Sequence, residues 1–264
     1  MIGTAAGAIE SSEQLLGMWK ALVEDVGATA VAEAGVAHRW ADTAFGFYNT
    51  LLFADPGVDH TELALRLDHA VAFMRDSKRS GFLWLFEELL TDTARSELGK
   101  AVERAGLLRA MTCYGMAGDV LPLPEPMHPN LRFERVSTQG HLNAYAGLNA
   151  RAYGMSEADA CAAFAGSRLW LEDIYAYVGF QDDRPVCCAG TYPVDGRLFV
   201  VLVATEGDCQ RRGFGEAVTR KALYEGSKAT GFSRATLQAT EAGRPVYERI
   251  GLGVTSIVSL YGLA

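Results

Sequence analysis

The sequence predicts an α/β fold in which two mixed, twisted sheets are flanked by helices, one sheet in each half of the chain. Three observations predict it. Helix-like and strand-like stretches alternate along the whole 264 residues, the pattern of folds that cover a sheet with helices. A proline cluster, Pro122, Pro124, Pro126 and Pro129, interrupts the alternation near the middle. The order helix, strand, helix, Glu-Arg-x-Gly-Leu, strand then occurs on both sides of the cluster. Glu103–Leu107 matches Glu248–Leu252, and Tyr114–Ala117 matches Tyr261–Ala264.

Composition narrows the function classes. With 49% hydrophobic and 21% charged residues the chain can bury a core, and disorder is not expected. A net charge of −8 argues against nucleic acid as a partner, because phosphate backbones are held by clustered Lys and Arg. No apolar run approaches the roughly 18 residues that a membrane span needs, and no basic, apolar leader opens the chain. A cytoplasmic protein is expected. The five cysteines, at 113, 161, 187, 188 and 209, form no C-x-x-C pair and read as free thiols in a reducing compartment.

In the first half, one or two helices are expected over Glu13–Ala34, strand over Ala44–Phe53, helix over Thr61–Ser77 and strand over Phe82–Phe86. A helix over Thr93–Arg104 and a strand over Met111–Met116 follow. Residues 121–129 read as an extended linker, since proline excludes helix interior. It would separate a domain at 1–120 from a domain at 130–264. In the second half Arg132–Val136 is a strand, and Ser137 caps a helix running to Tyr153. A helix over Ser156–Ala165 precedes strands at Ile174–Phe180, Pro185–Tyr192 and Arg197–Thr205, joined by short hairpin turns. A helix at Gly213–Thr230, a strand at Ala235–Ala239, a short helix at Arg244–Arg249 and a strand at Val254–Tyr261 complete the chain.

The chemistry concentrates in Val203–Gly215. An apolar strand runs into a polar loop, and the loop opens a helix whose first turn contains Gly213 and Gly215. A helix N-terminus carries unpaired N–H groups and partial positive charge, so it suits a phosphate. The glycines permit close approach, and Arg211 and Arg212 add charge. The pattern is neither G-x-x-x-x-G-K-[ST] nor a G-x-G-x-x-G directly after a strand, so neither nucleotide hydrolysis nor dinucleotide binding is implied.

Gln210-Arg211-Arg212-Gly213-Phe214-Gly215 and, downstream, Val246-Tyr247-Glu248-Arg249-Ile250-Gly251-Leu252 resemble the two signature segments of the GNAT superfamily of acyl-CoA N-acyltransferases. The family shows Q/R-x-x-G-x-G/A after its fourth strand and a tyrosine-bearing helix ending in Gly-Phe after its fifth; Leu252 replaces that Phe. The resemblance covers residues 130–264 and, through the internal match, residues 40–120 more weakly. It implies a tandem protein with GNAT-like sheets, whose N-terminal copy is degenerate and lacks the coenzyme loop.

The resemblance further implies acetyl-CoA as cosubstrate and an acetyl or short acyl group transferred to a primary amine, on a small molecule or a peptide. The coenzyme would be held by Gln210, Arg211, Arg212, Gly213, Phe214 and Gly215 around the pyrophosphate, and by the backbone of Leu202, Val203 and Ala204 along the pantetheine. The Val203 N–H would stabilise the developing oxyanion, and Tyr247 would protonate the departing thiolate. Val102 stands where Tyr247 stands in the second half and cannot donate a proton. Thr240 occupies the place of a coenzyme-contacting Asn of the family and could supply one hydrogen bond. For the general base, Glu172 is the candidate, with Asp173 and Glu206 nearby in sequence. The five histidines lack metal-ligand spacing, and His128 reads as structural or exposed. The alternative function is a coenzyme-binding sensor or scaffold without turnover; assembly as a homodimer is compatible with either.

Overall fold

The computed structural model describes residues 3–53 and 55–264. Helix α1 (Ala5–Asp25) is capped by Thr4, whose hydroxyl accepts from the Gly7 N–H. It begins eight residues before the expected Glu13, because Ala5–Glu10 is rich in alanine, the strongest helix former. A hairpin unforeseen in the sequence follows, β1 (Val31–Glu33) and β2 (Val36–Trp40). Its turn places both Ala34 and Gly35 at positive φ, a conformation for which alanine is no signal. The strand expected at Ala44–Phe53 is shorter: a 3-10 turn at Gly46–Tyr48 precedes β3 (Asn49–Phe53). The buried Asn49 side chain holds that turn by donating to the carbonyls of Thr43 and Ser80. Helix α2 (His60–Asp76), β4 (Phe82–Phe86), α3 (Asp92–Ala105) and β5 (Leu107–Gly118) follow.

Strand β6 (Arg132–Arg135) leads to α4 (Gln139–Ala152), whose N-cap is Thr138 rather than Ser137. Helix α5 (Glu157–Phe164) is capped by Ser156. A π-turn at Leu169–Asp173 leads to β7 (Tyr177–Gln181), β8 (Arg184–Val194) and β9 (Arg197–Thr205). Asp195 and Gly196 both take positive φ between β8 and β9, as a two-residue hairpin requires. After a 3-10 turn at Gly207–Cys209 come α6 (Phe214–Thr230), β10 (Ala235–Thr240), α7 (Arg244–Ile250) and β11 (Gly253–Leu263).

The chain forms two compact units that interleave along the sequence. The first takes the chain up to Ala117 together with Gln238–Arg244 and Gly253–Ala264; the second takes Gly118–Leu237 and Pro245–Leu252. This differs from a simple division at the prolines in one strand above all. β11 belongs to the first unit, where it runs antiparallel to both β4 and β5 and completes the order β1-β2-β3-β4-β11-β5. Its buried Val258, Leu260 and Tyr261 explain the placement: exposing three such side chains would cost roughly 1.5–3 kcal/mol each.

Each unit contains a parallel strand pair crossed by a helix of 17 residues. In the first, β3 pairs β4 through Thr50↔Phe82, Leu51↔Leu83 and Leu52↔Trp84. There α2 lays Leu63, Leu67, Ala70 and Met74 onto Leu51, Phe53, Leu83 and Leu85. In the second, antiparallel β6-β7-β8-β9 ends in β10, which runs parallel to β9. Here α6 lays Phe214, Val218 and Ala222 onto Tyr177, Val186, Cys187 and Ala189. Among the described residues no helix is long and apolar enough to cross a membrane.

Candidate functional site

The candidate site is built on β9, the loop after it, and the first turn of α6. Registered pairing of β9 with β10 is confined to Leu198↔Ala235 and Phe199↔Thr236, at the start of both strands. On its other edge β9 pairs with β8, and there it carries a bulge. Val201 faces Gly190 and Ala204 faces Cys188, so Leu202 and Val203 together oppose Ala189. Leu202 sits at φ +47°, a left-handed conformation that a leucine adopts only when its surroundings hold it there.

Beyond Thr205 the loop is held by its own contacts. The Glu206 N–H donates to Val186 and the Cys209 N–H to Glu206. Arg184 grips the Asp208 carboxylate with both terminal nitrogens, at 2.7 and 2.9 Å. Arg211 and Gly213 then take positive φ, +59° and +80°. Gly213 is the N-cap of α6 and brings no side-chain cap. The Ala217 N–H donates back to the Gly213 carbonyl at 3.0 Å, so the N–H groups of Phe214, Gly215 and Glu216 precede the first intrahelical bond and suit an anion. A Cβ on Gly215 would lie 2.9 Å from Thr205 Oγ1; glycine is what lets the helix start against the strand end. Gln210, Arg211 and Arg212 are exposed, and the Arg212 guanidinium lies 4.7 Å from the ring centroid of buried Phe214.

The proline segment packs along α6 as part of the second unit. The Leu121 N–H donates to Ser233, Asp119 pairs with Arg234, and Glu125 lies 3.6 Å from Lys221. His128 reaches the helix start, with its ring edge-on to Phe214 at 5.1 Å. Its Nδ1 accepts from the Asn130 N–H, leaving Nε2 facing Gly213. Proline content alone signalled a connector, not this docking.

Glu216, an acid in the first turn of α6, is the feature least suited to an anion. It is neutralised locally: Arg220 donates to one carboxylate oxygen at 3.0 Å and Arg249 to the other at 2.8 Å. Burial pushes its pKa up, but the two guanidinium bonds outweigh burial and hold it below the ordinary value. Arg220 also donates to the Arg249 carbonyl. These bonds tie α6 to α7, the helix that bears Tyr247. Tyr247 is buried, 8% exposed. Helix α7 closes at Gly251, φ +111°, whose N–H donates to the Tyr247 and Glu248 carbonyls.

The remaining sequence candidates lie in more occupied settings. Thr240 ends β10, and its hydroxyl accepts from the Gly243 N–H at 3.1 Å. Glu172 is exposed on the π-turn and accepts from Arg168 at 3.0 and 3.3 Å. The Arg168 bonds hold its carboxyl below the ordinary value, which lowers its strength as a base. Glu206 accepts from Arg151 at 2.7 and 2.6 Å. Among the described residues no three His, Cys, Asp or Glu side chains converge as a metal site.

No protein-family model matches the chain, and no curated protein sequence does. Solved structures do. A GCN5-related N-acetyltransferase from Kribbella flavida superposes with a TM-score of 0.71, covering 100% of this chain and 96% of that one at 21% identity. An acetyltransferase of the GNAT family from Novosphingobium aromaticivorans gives 0.56, with 89% and 91% covered at 14% identity. A tandem GNAT protein from the clavulanic acid biosynthesis pathway gives 0.53, with 76% and 69% covered at 12% identity.

Proposed function

We propose that this chain, which has the fold of the GCN5-related N-acetyltransferases, is an N-acyltransferase that takes an acetyl or short acyl group from acetyl-CoA to a primary amine. The observation that carries the reading is the start of α6. Its glycine N-cap brings no side chain to the first-turn amides, and two left-handed residues bend the preceding loop. That arrangement fits a pyrophosphate.

On this reading Gln210, Arg211, Arg212, Gly213, Phe214 and Gly215 hold the pyrophosphate, and the backbone of Leu202, Val203 and Ala204 lies along the pantetheine. Acetyl-CoA supplies the activated acyl carbonyl. The Val203 N–H, from the bulge of β9, donates to the oxygen on which negative charge develops. Tyr247 donates its phenolic proton to the departing sulfur. Glu172 would act as base only after its Arg168 pair opens. In the first unit Val102 lies in α3 and has no proton to give, so that unit is proposed as a degenerate, non-catalytic copy.

A second reading, a coenzyme-binding sensor without turnover, is favoured by one observation: Glu172 and Glu206 are both engaged by arginines. Incubation with acetyl-CoA and a panel of primary amines, following release of free thiol, separates the two. Amine-dependent thiol release supports the enzyme; coenzyme binding with no release from any amine supports the sensor.

A further inference from the structure

Two side chains of α4 bond successive carbonyls at the bulge in β9. The Tyr145 hydroxyl donates to the Val201 carbonyl at 2.9 Å, and Asn149 Nδ2 donates to the Leu202 carbonyl at 3.0 Å. The two residues are one helical turn apart, so they present both donors from the same face of α4. Each captures one of two successive carbonyls, at the point where Leu202 enters the left-handed region.

The surroundings are arranged for this contact. Gly190 faces Val201 across the strand pair, and a Cβ there would lie 3.2 Å from the Tyr145 hydroxyl and 2.9 Å from Ile174. The glycine keeps the hydroxyl's path to Val201 open. Asn149 is fully buried, yet its Oδ1 has no hydrogen-bond partner. A buried orphan acceptor is unfavourable, so the amide is not here for its oxygen. Its donor end has the partners: Nδ2 also donates to the Tyr145 carbonyl at 3.1 Å and lies 3.3 Å from Cys188 Sγ. Leucine would fill the space but leave the Leu202 carbonyl without this donor.

We infer that Tyr145 and Asn149 are positioning residues for acyl transfer. By capturing the carbonyls of Val201 and Leu202 they hold the bulge and thereby orient the Val203 N–H toward the acyl oxygen. The inference rests on the acyl-CoA reading above, and it assigns a role to two residues that never touch the reacting atoms. Their effect falls mainly on the polarity felt by the bound carbonyl, because the pyrophosphate is held by the α6 loop, which neither residue touches.

The test is infrared difference spectroscopy of carbonyl-labelled acetyl-CoA bound to the full chain, in the parent protein and in Tyr145→Phe and Asn149→Leu. Tyr145→Phe keeps the ring against Trp170, 4.7 Å away, and so remains informative should Asn149→Leu fail to fold. The expected result is a thioester carbonyl stretch shifted to lower frequency on binding to the parent, with part of that shift lost in each variant. The acetyl-CoA dissociation constant rises by no more than a few-fold in calorimetry, since the α6 loop is left intact. A merely structural role would lower the melting temperature and leave the carbonyl frequency alone. An unshifted carbonyl in the parent, or the full shift retained in Tyr145→Phe, would overturn the positioning role while leaving the coenzyme site intact. Failure of the parent to bind acetyl-CoA at all would instead overturn the acyl-CoA reading, and this inference with it.

Discussion

Asp59 and Gly213 hold the same position in the two units, the N-cap of the helix that crosses a parallel strand pair, and they leave that helix end in opposite states. The Asp59 carboxylate accepts from the N–H groups of Thr61 and Glu62, at 2.8 and 2.9 Å. Two first-turn donors of α2 are thus already satisfied by an anion of the protein itself. Gly213 offers α6 no such group. A helix end can serve a bound phosphate or its own cap; α2 uses its own cap, and α6 brings none.

Asp59→Ala removes the cap, and the melting temperature of the first unit is expected to fall at neutral pH. The backbone bonds from Glu62 and Thr61 hold the Asp59 carboxyl below its ordinary value. A depressed acid stabilises above its unfolded pKa and ceases to do so as pH falls through the folded one. The difference between parent and variant is therefore expected to shrink below about pH 4. A difference that persists undiminished to pH 2 would show that the charge is not what caps α2.

Glu216→Gln separates binding from turnover. The substitution removes a negative charge from the first turn of α6 and weakens the hold of Arg220 and Arg249 on α7. Acetyl-CoA affinity is expected to hold or rise by a few-fold, since an acid at a helix N-terminus competes with a bound anion. Turnover is expected to drop, because Tyr247 loses part of its support. A parallel fall in both, measured by calorimetry and thiol release, would mean that Glu216 serves the loop and not α7.

Tyr247→Phe is expected to reduce turnover by roughly 10²-fold or more, the usual range for a lost general acid, with coenzyme affinity nearly unchanged. Unaltered turnover would remove Tyr247 from the acid role.

Gly213→Val forces a β-branched side chain into φ +80°, at a cost on the order of 1–3 kcal/mol, and distorts the loop that aims the first-turn amides. Acetyl-CoA is expected to bind at least about tenfold more weakly, equivalent to 1.4 kcal/mol. Equal affinity in parent and variant would separate the loop from the pyrophosphate.

Thiol chemistry checks the cores independently of any ligand. Burial pushes Cys113 and Cys187 up to about 12 and raises Cys188 well above the ordinary thiol value. Cys209 is buried too, and Cys161 is the one cysteine with partial exposure. One of the five thiols is expected to react with a disulfide reagent in the native protein, and all five after denaturation. A second fast native thiol would contradict the packing of β5, of β8 or of the Gly207–Cys209 turn.

The sequence was most legible where a local rule decides the structure. The α6 start announces itself, because an apolar strand, a polar loop and two glycines are adjacent in sequence. Helix α3 ends at Gly106 in the left-handed conformation, as a glycine after a helical run predicts. Legibility failed where partners are distant. Nothing in Val201-Leu202-Val203 marks a bulge, and the groups that bond its carbonyls, Tyr145 and Asn149, lie more than fifty residues away. The C-terminal strand pairs with residues 83–86 and 107–117, so a division at the prolines could not see which unit it completes. His128 reads as one histidine among five until the proline segment is laid along α6.

Whether a coenzyme pyrophosphate sits at the start of α6 is decided by titration calorimetry of the parent protein with acetyl-CoA, repeated with dephosphorylated pantetheine. Acetyl-CoA is expected to bind in the micromolar range, on the order of −8 kcal/mol, and affinity is expected to be lost when the pyrophosphate is absent. No binding of acetyl-CoA at millimolar concentration, or equal binding of the two compounds, would contradict that placement.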